Sequence, residues 1–304
     1  MPLRRTSRMA VASAAALTLA FSGAAEASAR TPTRTPSQVL FLNHTYGVLD
    51  RETADAIAAS PYLRTFANFQ LRTTTGSGGE KWTARYLMGR ETYLELFGVG
   101  DVPGKDGTLG SAGMGLSTEQ EGDLSTVENR LRDQGITPIN FRQTRDFGDG
   151  VPVPWFDAVY TTEQYDSFGA WGMEYLPSYF ADPRSDTEPP DHPGDVSRER
   201  YLSDDYRDHL MRDVSSVRLA VTQKDLQATT PLLRAGGFTV HTLPQGIVAT
   251  RNGTTLRFDT TTRDHTGLKR IDLILNHPAP PRHLRIGHST LTIGPGAHAT
   301  WTFD

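Results

Sequence analysis

Three times along this chain an apolar, strand-like run passes into a helix that stops near a proline or glycine. A unit that recurs confines the fold to architectures that set copies of it side by side. In the first copy QVLFLNHTYGVLD leads into RETADAIAAS. There Asp50 is placed to cap the helix, Ala54, Ile57 and Ala58 share a face, and Pro61 interrupts. In the second, SAGMGLSTEQ leads into DLSTVENRLRDQG, with Leu124, Val127 and Leu131 on one stripe and Gly135 at the stop. In the third, SSVRLAVTQ leads into KDLQATTPLLRAGGF, where Pro231 is expected to split or kink the helix and Gly236-Gly237 to end it.

Strand-like segments follow each helix. FANFQLRTTT, KWTARYLM and TYLELFGV follow the first, and TPINFRQTRDF, WFDAVYTT and AWGMEYLPSY the second. Each unit therefore reads strand, helix, strand, strand, strand. The stretch over 181–210 opens on a run rich in proline and acidic residues and is expected to be a linker or surface loop. It separates paired units over 38–180 from a third, β-rich unit over 211–304.

The chain opens on Arg4, Arg5 and Arg8, continues through MAVASAAALTLAF and reaches small residues at AEASA. That is the layout of a secretory signal peptide over 1–29, cleaved after Ala27 or Ala29, followed by a disordered stretch over 30–37. The apolar run is too short for a permanent span, so a secreted protein with no membrane segment after cleavage is expected. Roughly 265 residues then remain, comfortable for two lobes. With no cysteine there is neither a disulfide framework nor a thiolate metal site. With 35 acidic against 31 basic residues and no basic stripe, nucleic acid is not an expected partner. GDVPGKDG lacks the glycine spacing of a phosphate loop, and no GxSxG elbow is present.

The stretch TYLELFGVGD sets Glu95 inside an apolar run that otherwise reads as a buried strand. Such a carboxylate needs a proton, a cation or a metal to offset several kcal/mol of desolvation.

The first two units resemble the vicinal oxygen chelate superfamily, the fold of glyoxalase I, extradiol dioxygenases and bleomycin-resistance proteins. LNHTYGVLD is similar to its first strand with a metal-binding histidine, and YLELFG and WGMEYLP to strands with a central glutamate ligand. The chain as a whole resembles a group of secreted bacterial glyoxalase-like proteins of unknown function. The resemblance implies an α+β fold of βαβββ modules in an open, cupped mixed sheet, and a divalent ion (Zn, Mn, Fe, Co or Ni) on His44, Glu95 and Glu174. One histidine and two carboxylates with open positions suit such an ion. The expected activity is that of an isomerase, epimerase or lyase on a small molecule with adjacent oxygens, with Glu95 or Glu174 moving the proton. GMGLST offers only Ser117 and Thr118 where the family often supplies a fourth ligand. Only one histidine is suitably placed, so dioxygenase chemistry ranks low.

The alternative is a metal-free small-molecule-binding protein of the bleomycin-resistance type, trapping a small aromatic or amphipathic molecule between Trp82, Tyr93, Phe97, Trp155 and Trp171. Glu95 would then pair with Arg85 or Arg90, His44 would be a hydrogen-bonded core residue, and Glu174 would sit at an exposed strand position. The third unit, VRLAV to TTLRFD, carries neither histidine nor glutamate at the matching places. It reads as structural, and an odd module count makes a homodimer one way to complete its sheet. His265, His277, His283, His288 and His298 read as solvated. A carbohydrate-binding role for the C-terminal part has only Trp301 as an aromatic hint.

Overall fold

Residues 36–304 are described by the computed structural model. The leader over 1–29, its cleavage site and most of the stretch over 30–37 lie outside the described residues.

The first unit runs β1 (Phe41–Leu49), α1 (Arg51–Ala59), α2 (Pro61–Phe66), β2 (Asn68–Thr75), β3 (Lys81–Met88) and β4 (Tyr93–Gly98). Asp50 caps α1 as the sequence predicts, accepting from Thr53 N at 2.9 Å. Pro61 occupies the first turn of a new helix, where its missing N–H costs nothing. The second unit runs β5 (Ala112–Ser117), α3 (Asp123–Asp133), β6 (Ile139–Arg145), β7 (Val153–Tyr160) and β8 (Phe168–Tyr175). Leu124, Val127 and Leu131 form the buried stripe of α3. The two units make one eight-stranded sheet in the order β2-β3-β4-β1-β5-β8-β7-β6, with β1 parallel to β4 and β5 parallel to β8.

Two short helices follow, α4 (Pro177–Phe180) and α5 (Arg198–Tyr201). The segment expected to be a linker lies as a strap against the first sheet, with Val196, Arg198 and Leu202 buried. Its anchor is Arg198, whose Nη1 donates to Leu42 O at 2.6 Å and whose Nη2 reaches Glu91 at 3.1 Å, with Glu119 on Nε. Arg90 adds a two-pronged pair with Glu199, both contacts at 2.9 Å.

The rest of the chain is β9 (Met211–Val221), α6 (Gln223–Ala235), β10 (Thr239–Leu243), β11 (Gly246–Arg251), β12 (Thr254–Thr260), β13 (Gly267–Ala279), β14 (Arg282–Ile286), β15 (Ser289–Ile293) and β16 (Gly296–Phe303). Pro231 does not split α6, which continues through it as one helix. In the preceding turn the Thr229 and Thr230 hydroxyls donate to the Asp225 and Leu226 carbonyls, both at 2.8 Å.

The second sheet has the order β10-β11-β12-β9-β13-β16-β15-β14, the first order shifted by eight strands. The third unit therefore has its partner within the chain, and the odd count that suggested a dimer disappears. This fourth module has lost its helix, since only Pro280 and Pro281 connect β13 to β14. Without a crossover the following strands reverse direction, and β13 is antiparallel to β16 where β5 is parallel to β8.

One apolar core joins both sheets and the helices between them, with Leu94, Met114, Ile57, Leu131, Leu219 and Ile271 among its members. Trp301 belongs to it, fully buried with its indole N–H donated to Ser289 Oγ at 2.9 Å, so the aromatic hint of a carbohydrate site is a core residue. No helix among the described residues is long and apolar enough to cross a membrane.

Candidate functional site

Strand β4 is buried along its whole length, and its alternation sorts the residues. Leu94 and Leu96 face the core between the sheets, while Tyr93 and Phe97 belong to a separate cluster on the concave face of the first sheet. Glu95 shares that second face. The concave face encloses a cavity of about 330 Å³ whose walls include Trp82, Trp155, Trp171, Tyr86, Tyr93 and Phe97, with His44 and Glu95 at its base. Tyr201, on the strap, adds a wall that no sequence pattern indicates.

His44 owes its setting to a β-bulge. Leu42 pairs with Leu116 and His44 with Gly115, so Asn43 is the extra residue. Asn43 Nδ2 donates to Ser117 Oγ and Tyr175 Oη, both at 3.1 Å, which turns its Oδ1 to His44 Nδ1 at 2.7 Å. An amide oxygen only accepts, so Nδ1 carries the hydrogen and Nε2 keeps a lone pair. Burial holds the imidazole neutral, pushing its pKa down to about 3.

Glu95 Oε1 accepts from the Tyr86 hydroxyl at 2.6 Å and from Trp82 Nε1 at 3.0 Å. Burial raises its pKa, opposed by those two donors and by the positive charge of Arg72. The other oxygen lies 4.0 Å from His44 Nε2. The expected arginine partners are elsewhere: Arg85 pairs with Asp101 and Arg90 with Glu199.

Glu174 is not part of this group. On β8, Trp171 lines the cavity while Met173 and Tyr175 belong to the adjoining aromatic cluster, so the period of two turns Glu174 to the opposite face. There it accepts from Gly122 N at 2.8 Å, Leu124 N at 2.9 Å and Thr118 Oγ1 at 3.0 Å. Helix α3 starts at Gly122, which has no side chain to cap it, and Glu174 takes over that duty. The expected ligand is a helix cap, one residue out of phase with the cavity.

The resemblance implied a divalent ion, and the residues present do not fit one. Among the described residues no three His, Asp or Glu side chains form a group able to hold a metal. His44 Nε2 and Glu95 Oε2 are 4.0 Å apart, so an ion about 2.1 Å from both would open the angle between them to roughly 145°, well beyond the tetrahedral value. Strand β5 offers Gly115 opposite His44, and a β-carbon there would stand 2.5 Å from the imidazole Cε1. A third ligand cannot enter from that strand while His44 keeps its position.

Asn43, Arg72, Tyr86 and Tyr201 escape the sequence reading. The alternation Trp82, Ala84, Tyr86 could have shown which face of β3 meets Glu95, and Arg72 pairs with Ala84 in the next strand. The C-terminal histidines are exposed, as expected.

The sequence from residue 42 to residue 303, almost the whole described chain, matches a family of unknown function, DUF5829. The chain belongs to this family. A search of curated proteins finds no match. Among solved structures, similarity extends to a hypothetical protein from Staphylococcus aureus at 10% identity, covering 82% of this chain and 96% of that one, with a TM-score of 0.49. The 2,3-dioxygenase LapB from Pseudomonas sp. KL28 is similar at 13% identity over 86% and 91% of the two chains, TM-score 0.43. A Mn(II)-bound glyoxalase from Novosphingobium aromaticivorans is similar at 8% identity over 86% and 81%, TM-score 0.39. Within this family the chain has the vicinal oxygen chelate fold, on the strength of its repeated modules and strand order.

Proposed function

We propose that this protein binds a small, flat aromatic molecule in the cup of its first sheet, without a resident metal ion. The observation that carries the reading is a cavity of about 330 Å³ walled by tryptophan, tyrosine and phenylalanine. Its two central polar groups are a neutral imidazole and a hydrogen-bonded carboxyl. That volume is near the lower end for ligand pockets and suits one or two rings. Aromatic walls grip such rings by stacking and edge contacts. The second sheet carries neither a histidine nor a glutamate at the places matching His44 and Glu95.

Intrinsic tryptophan fluorescence tests this directly, because three of the four tryptophans line the cavity. Titration with a bicyclic aromatic probe should quench the emission and raise the melting temperature equally with and without chelator. Dependence of both effects on an added divalent ion would overturn the reading.

Export is part of the proposal and rests on the leader-like N-terminus. Protein recovered from the medium should begin at residue 28 or 30; an intact Met1 on intracellular protein would contradict it.

A further inference from the structure

We infer that the molecule held in the cup is an aromatic carboxylate, its anionic group held by Arg72 and the indole of Trp155. The inference rests on the aromatic-cup reading and names the ligand class for that site.

Buried polar hydrogens normally have acceptors. In this cavity three do not: Arg72 Nε, Trp155 Nε1 and Trp171 Nε1 are all out of contact with solvent and without a partner among the described residues. The unmet demand is thus for acceptors, and the ligand must bring them.

The charge is arranged unevenly. Arg72 lies over the Tyr86 ring at 4.5 Å and donates through Nη1 to Gln70, yet forms no ion pair with a carboxylate among the described residues. Arg145 lies behind the cavity wall, over Trp155 at 5.4 Å with Nη1 on the Tyr179 hydroxyl, and it too has no carboxylate partner among those residues. Trp155 and Tyr179 in turn surround Tyr201. The other end holds Asp106, whose two oxygens take the Tyr165 hydroxyl at 2.9 Å, close to Tyr46 and Tyr160. Arg72 is thus the one guanidinium lining the cup among the described residues; at the Asp106 end Lys105 Nζ lies 3.6 Å over the Tyr165 ring, and the Glu95 carboxyl, its pKa raised by burial, is within reach of the Arg72 charge. Glu80 is exposed at the rim, where solvent screens it.

A guanidinium and an indole N–H, both unpartnered and lining the same cavity, match the paired oxygens of a carboxylate, and charge-assisted hydrogen bonds in a desolvated site are strong ones. The ring of the ligand then lies along the aromatic walls, and a polar substituent at its far side meets the Trp171 N–H.

The test compares 2-naphthoate with neutral 2-naphthamide, titrated by tryptophan fluorescence into the full chain. Naphthoate should bind about tenfold or more tightly than the amide. Arg72→Gln should bring the ratio near one by weakening naphthoate far more than the amide. Trp155→Phe keeps a ring but loses the N–H, and should weaken naphthoate several-fold while its melting temperature reports folding. Equal binding of both probes by the native protein, unchanged in Arg72→Gln, would overturn the carboxylate assignment and leave the aromatic cup standing. Binding of neither probe would overturn both.

Discussion

The imidazole of His44 lies over the backbone of Gly115, so closely that a β-carbon at Gly115 would come within 2.5 Å of it. Two residues along β5, a β-carbon on Gly113 would come within 2.1 Å of the Tyr46 ring. The glycines of AGMG exist to let the two rings of β1 lie across them. Gly115→Ala should cost about 1–3 kcal/mol of stability and should weaken probe binding by displacing His44. Urea denaturation with a parallel fluorescence titration checks this; an alanine variant with native stability and affinity would contradict the close approach.

His44 makes stability depend on pH in the acid range. Its folded pKa, about 3, lies below the usual 6.5, so the unfolded chain takes up the proton first. The contribution is complete above pH 6.5 and declines as pH falls towards 3, by up to about 1.4 kcal/mol per unit. Unfolding of His44→Gln, compared with the native protein between pH 6.5 and 4, should show a flatter decline. Parallel curves would mean that the imidazole is charged in the fold.

Glu95 works in the opposite direction. Its folded pKa is raised above the usual 4.5, so the unfolded carboxyl loses its proton first and stability declines as pH rises through the raised value. Glu95→Gln keeps an acceptor for Tyr86 and Trp82 and cannot ionise. Its melting temperature should gain on the native protein as pH rises from 4.5, then level off. A gap that narrows with pH would contradict a carboxyl destabilised by burial.

Glu174 is a capping residue on the far face of the sheet. Glu174→Ala should cost about 1–2 kcal/mol through the loss of the α3 cap and leave probe affinity unchanged. A large fall in affinity at native stability would restore Glu174 to the site.

The modular pattern was readable because period-two strands and capped helices write themselves into local sequence. Asp50, the stripe of α3 and the buried strand TYLELFG all follow from local sequence. The fourth module was not readable: its helix is missing, and a module identified by its helix vanishes with it. Glu174 was misplaced because MEYL and LELF look alike while their strands enter the sheet one residue out of phase, a shift that sends every side chain to the other face. Asn43 depends on a bulge and Tyr201 on the path of an irregular strap, neither of which leaves a periodic trace.

The central claim, a cup that works without a resident metal, is tested most directly by the metal content of the full chain. The protein should be purified without a histidine tag and measured by inductively coupled plasma mass spectrometry. The account predicts transition metal far below one equivalent per chain, with no change in His44→Ala or Glu95→Gln. Close to one equivalent in the native protein, lost in both variants, would contradict it.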